Sequence, residues 1–157
     1  SSCGIITGLV LFFLSNIRAN QMSKLNKEYS VLKKMDNTLR DIAHYGLYYQ
    51  IYKALWGEKH DVWEDSTTII TLLDEVEQMR NDIPNKLWES LGFCDFDPLD
   101  HDNINQMKDG LECCLDKESA RKWIIKVSEE MTNISDKLHQ PIIVREDQIA
   151  LLNKLFI

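Results

Sequence analysis

Glycine and proline are scarce in this chain, six and three among 157 residues. A sandwich or barrel of many short strands needs turn signals about every 8 to 12 residues, so that class is excluded and helices are favoured. Positive charge is also short: 18 Lys and Arg stand against 25 Asp and Glu, a net charge of -7. Binding a nucleic-acid backbone requires clustered cations, and the densest group here, Lys24, Lys27, Lys33 and Lys34, is interleaved with Glu28 and Asp36. That mixture is the pattern of a solvated helix face, and no nucleic-acid partner is expected.

The chain also lacks a nucleophile elbow, a phosphate loop, a dinucleotide fingerprint and any C-x-x-C pair. No Cys and His set has zinc spacing. The expectation is therefore a protein that is not an enzyme and has no cofactor and no metal. What remains is an ordinary globular composition, 44% apolar and 27% charged, which excludes disorder.

The longest apolar run is Gly4 to Leu14. Followed by polar residues and by Ala19, it has the form of a secretory signal, with a cut after Ala19 leaving a chain that begins at Asn20. Taken as far as Ile17 it still falls below the ~17 to 25 residues of a membrane span, so the alternative is a short retained anchor. A third reading is a buried segment of the core. Residues 1–19 are thus expected to be a signal peptide or short membrane anchor, and 20–157 a single domain.

Beyond the run, apolar residues recur at helical spacing. Leu25, Tyr29, Leu32, Met35, Leu39, Ile42, Tyr45, Tyr49, Tyr52 and Trp56 fall on one face of a helix from Met22 to Trp56, with Gly46 as its likeliest bend. Gly57 suits a left-handed cap, and Asp61 with Glu64 has capping-box spacing for the next helix, whose buried face is Val62, Ser66, Ile69, Leu73, Val76 and Met79. A short helix carries Leu87, Trp88 and Leu91, and another carries Ile104, Met107, Leu111 and Cys114 or Leu115. The last long helix presents Ala120, Ile124, Val127, Met131, Ile134 and Leu138, and Pro141 is expected to end it. A closing helix with Ile149, Leu152, Leu155 and Phe156 follows. The fold expected is all-α, an up-and-down bundle of four to six helices with an N-terminal apolar segment.

Four groups of residues carry the functional expectations. Tyr45, Tyr48, Tyr49, Tyr52 and Trp56 form an aromatic cluster denser than a core stripe, suited to a ligand or partner surface, with Tyr48 beside the buried face. Asp95, Asp97, Asp100 and Asp102 crowd one loop but fail the register of a calcium hand, and read as turn formers and caps. His60 with Glu64, and His101 between aspartates, each offer two ligands where a catalytic metal needs three, and His44 and His139 are isolated. Cys94 could pair with Cys113 or Cys114, and Asn133-Ile134-Ser135 is a glycosylation triplet. Together these predict a secreted, extracellular binding protein that recognises a protein or an apolar small ligand without catalysis. The alternative is a membrane-anchored interaction subunit of a larger complex; oligomers are compatible with either.

Overall fold

The structure, a computed structural model, describes residues 2–57 and 59–155. Among these the chain is helical with no strand. In order come α1 (Ser2–Leu47), a π-helical turn (Tyr48–Tyr52), α2 (Lys53–Trp56), α3 (Val62–Asp82), α4 (Asn85–Trp88), a second π-helical turn (Glu89–Phe93), α5 (His101–Glu112) and α6 (Lys117–Leu155). The starts follow from caps: Asp61, Asp100 and Asp116 accept from the backbone N–H of Trp63, Asn103 and Ser119. Asp61 therefore caps alone, without the reciprocal bond from Glu64 that a capping box implies.

Contacts run antiparallel between neighbours, as an up-and-down bundle requires. Tyr29 meets Glu146, Asp36 meets Ser135 and Ser128 meets Ile42 along α1 and α6; Glu77 meets His101 and Asp74 meets Lys108 along α3 and α5. The buried stripes are those expected from periodicity. Leu32, Met35, Leu39 and Ile42 face Ile124, Val127, Met131 and Leu138, with Ile69, Leu73, Val76, Ile104 and Met107 completing the core. Burying each such side chain contributes about 1.5 to 3 kcal/mol.

A polar pair fixes how α1 and α6 align. Asp36, 1% exposed, accepts from Ser135 Oγ at 2.5 Å and pairs with Arg40 Nε at 3.0 Å. A buried carboxylate is tolerable only with such partners, and sliding either helix by one turn would take away the Ser135 hydroxyl and leave it only Arg40 of its own helix.

Gly46 lies inside α1, two residues before the π-helical turn. It lets α6 approach: a Cβ there would lie 2.4 Å from Ser128 Cβ, while Ser128 Oγ donates to the Ile42 carbonyl at 3.0 Å. Gly57 has the positive φ expected (72°), but its ψ of -164° belongs to the glycine-only extended region rather than to a left-handed helical cap.

Pro141 does not end the last helix either, and the segment expected to close the fold as a separate helix is the continuation of α6. Proline removes one backbone hydrogen bond, and tertiary contacts keep the helix continuous past it. Ile142 is buried, Arg145 pairs with Glu28 at 2.9 Å and donates to the Pro141 carbonyl, and Glu146 accepts from Tyr29. Ile149 and Leu152 are half-buried, whereas Leu155 is exposed and Phe156 lies outside the described residues. Leu115 is exposed, because α5 stops at Glu112.

The expected disulfide is not formed: Cys94, Cys113 and Cys114 are free. Phe93 sits beneath Lys137, whereas Gly110 packs against Trp123. Those two levels are separated by 14 residues of α6, about 21 Å. A disulfide needs Cα atoms within about 7 Å. Cys114 Sγ instead donates to the Gly110 carbonyl.

The apolar run is helical and is not part of the core, which sets aside the third reading of it. The first core residue of α1 is Leu32, and nine large apolar side chains between Ile5 and Ile17 are exposed. The arm projects past the point where α6 accompanies α1. Among the described residues no helix is long and apolar enough to cross a membrane.

Candidate functional site

The end of the bundle far from the arm holds the richest cluster of polar chemistry. It is built by the π-helical turn, in which the Lys53 N–H donates to the Tyr48 carbonyl, five residues back. A π turn carries about one residue more than an α turn, so the side chains beyond it are rotated by roughly 100°. The regular stripe is broken there. Tyr48, expected beside the face, is buried at 7% exposure, and Trp56, expected on it, is 57% exposed.

The aromatic cluster is thereby divided. Tyr45 and Tyr49 are half-buried with Tyr48 on the inner side, and Tyr48 lies edge-on to Tyr49 and to His60, with centroids at 5.1 and 4.3 Å. Tyr52 and Trp56 stack on each other 4.9 Å apart on the outer side, with Lys59 Nζ 5.7 Å from the indole centroid. The Tyr48 hydroxyl donates to the Gly57 carbonyl at 2.9 Å and accepts from the Lys59 N–H at 2.6 Å. A core tyrosine thus holds the turn after α2 in place.

Below this turn lies buried Asp65. Its carboxylate accepts from the Tyr49 hydroxyl at 2.5 Å and faces His60 Nδ1 at 3.4 Å. Burial, then the bond to Asp65, pushes the Tyr49 hydroxyl far above its ordinary range, so it is a donor and not a base. Burial and the Asp65 charge also raise Tyr45. A carboxylate beside an imidazole is the orienting half of a hydrolytic triad, but no Ser, Thr or Cys is among the described residues lining this cleft.

The cleft has a volume of about 340 Å³ and is walled by Tyr48, Tyr49, Val62 and Trp63, with Lys53, Lys59, His60, Lys117, Arg121 and Asp61 also among its described lining. Its floor meets the first turns of α3 and α6, whose dipoles present positive ends. Periodicity did not reveal this group, because its cations come from three separated segments. One signal was available: Lys117 opens α6 and Arg121 follows in its next turn, where the helix dipole disfavours cations.

The other residues singled out by sequence lie elsewhere. Asp97 organises its loop, accepting from Trp88 Nε1 at 3.0 Å and the Leu99 N–H at 2.9 Å while pairing with Arg80 Nε at 2.9 Å. Asp100 is a cap, and Asp95 and Asp102 are exposed. His101 belongs to a different contact, Nδ1 to Glu77 at 2.6 Å, and is not brought to His60 or Glu64. Among the described residues no three His, Cys, Asp or Glu are grouped so as to hold a metal ion. His44 and His139 are exposed, and Asn133 is exposed on α6 beside buried Ile134.

Over the described residues, fold and site define an up-and-down helical bundle with a basic, tyrosine-walled cleft at one end and an apolar helical arm at the other. Comparison with family models, with curated proteins and with solved structures gives no match.

Proposed function

We propose that this chain is a binding protein, without catalysis of its own, that is held at a membrane surface by the arm of α1. The observation that carries the reading is the arm itself. From Leu9 to Leu14 six consecutive residues are large, apolar and exposed. At 100° per residue they surround the helix, so this is not an amphipathic stripe awaiting one groove but a rod that is apolar on every side. A contiguous exposed surface of this kind needs a partner, and hydrocarbon is the partner that covers a whole circumference. Ile5 to Ile17 spans about 20 Å, against roughly 30 Å for a bilayer core, so the arm reaches into the membrane without crossing it. Arg18, Lys24 and Lys27 follow at its base, where anionic headgroups favour cations.

A second reading keeps the bundle and removes the arm: a secreted binding protein cut after Ala19. It is favoured by one fact, that among the described residues no buried core residue precedes Leu32. Alkaline-carbonate extraction of the natural protein, followed by intact mass, separates the two. The anchored reading expects the protein in the membrane pellet with residues 2–19 present; a soluble product beginning at Asn20 overturns it in favour of secretion.

A further inference from the structure

We infer that the last two turns of α6 are a second membrane contact, entering the interface beside the base of the arm, and that the surface they meet is an anionic one. The inference rests on the anchored reading of α1 and adds to it a second element and a lipid class. Three observations converge on it. The first is register. Arg145 pairs with Glu28 at 2.9 Å and the Tyr29 hydroxyl donates to Glu146 at 2.8 Å, so α6 runs antiparallel to α1 and each further residue lies about one residue nearer the arm. Leu151 and Leu152 line one groove with Gln21, Lys24 and Leu25. By the same spacing Leu155 stands level with the turn Arg18 to Asn20, where the apolar surface of the arm ends. Because α1 is one helix from Ser2 to Leu47, a membrane that takes the arm has its surface at this level.

The second is the surface of the tail. Ile142 is the last buried residue of α6, yet the helix runs on to Leu155. Ile149 and Leu152 are half-buried, whereas Leu151 and Leu155, four apart and therefore on one face, are 55% and 64% exposed. Leu155 falls at the hydrocarbon boundary set by Ile17, and Leu151 stands one turn further out, about 6 Å, which is the thickness of the headgroup layer. The third is charge. Residues 1–27 and 148–157 contain four Lys and Arg and no Asp or Glu, whereas residues 28–147 contain the other 14 and all 25 Asp and Glu. The antiparallel register gathers the two acid-free segments at one end, so a chain of net -7 is cationic where the arm leaves it. Cations directly outside an inserted apolar segment recognise anionic headgroups, and the same surface repels the acidic body and holds it away. A second copy of this chain is a poorer occupant, since two such ends would set like charges against each other.

The test is titration of the full chain with vesicles of phosphatidylcholine alone and of phosphatidylcholine with phosphatidylserine, read by flotation and by hydrogen exchange of residues 148–155. Binding should be tighter to the phosphatidylserine vesicles by about tenfold or more, with slowed exchange of the tail on binding. Leu151→Asp with Leu155→Asp should weaken binding to both vesicles by about tenfold or more at an unchanged melting temperature. Lys24→Glu with Lys27→Glu should remove the preference for phosphatidylserine. Ile51→Asp with Leu55→Asp, exposed at the other end of the bundle, should bind as the unaltered chain does. Binding to neither vesicle overturns the anchored reading and this inference with it. Equal binding to both vesicles, or a Leu151→Asp, Leu155→Asp variant that binds like the unaltered chain, overturns this inference alone and leaves the arm as the sole contact. Slowed exchange of the tail without vesicles, growing with protein concentration, assigns its exposed face to a second copy and also overturns it.

Discussion

Single residues carry the alignment of this bundle where helices come closest. Gly46 is there for space: a methyl group would stand 2.4 Å from Ser128 Cβ, both on helix backbones that cannot yield separately. Gly46→Ala should therefore lower stability by about 1 to 3 kcal/mol in chemical denaturation, despite alanine's better helix propensity. Ser128→Gly in that background should recover part of the loss. His101 offers a test by pH. Its bond to Glu77, and then the Glu77 charge, raise its pKa above the ordinary histidine value. A raised folded pKa means that the pair contributes to stability below the unfolded pKa, and that this contribution disappears as pH rises through the folded one. In an NMR titration His101 should lose its proton at a pH above the ordinary histidine value, and Glu77→Gln should bring it back towards that value; an unmoved midpoint contradicts the contact.

At the scale of elements, α6 departs most from its local signals. Proline at 141 costs a helix interior about 3 kcal/mol relative to alanine, offset here by Ile142, Arg145 and Glu146 docking on α1. Pro141→Ala should raise the melting temperature without changing the helical circular-dichroism signal; a loss of stability would mean that the proline terminates the helix after all. The loop before α5 has the opposite logic, since Asp97 serves a buried indole and a largely buried guanidinium at once. Asp97→Ala strands both and should cost about 3 kcal/mol, whereas Asp102→Ala, exposed beside it, should cost little. These cases mark what could be read from the sequence. The stripes Leu32 to Ile42 and Ala120 to Leu138 were legible because each is a regular helix burying one face, and period alone identifies the face. Pro141 and Trp56 were not, because long-range contacts carried one helix through a breaker and a π turn rotated the other out of phase. The basic cleft was hidden for a related reason: Lys53 of α2 and Lys59 of the turn after it meet Lys117 only when the start of α6 is brought against them.

On the scale of the whole molecule, the chain is polar in the literal sense that its two ends differ in chemistry. One end is an apolar rod joined to the half-covered tail of α6, where Leu151 and Leu155 are exposed near the arm's base. The other is a cationic cleft braced by tyrosines. The bundle between them holds the cleft at a fixed distance from whatever the arm enters, and nothing in the core depends on the arm. That independence makes the arm's role separable from folding. Flotation of the full chain with vesicles of phosphatidylcholine and phosphatidylserine tests it most directly, comparing the unaltered protein with Phe12→Asp, Phe13→Asp. The account predicts that the unaltered chain rises with the vesicles and that the double variant stays at the bottom of the gradient with the same melting temperature. An unaltered chain that remains soluble and unbound, or a double variant that floats equally well, would contradict it.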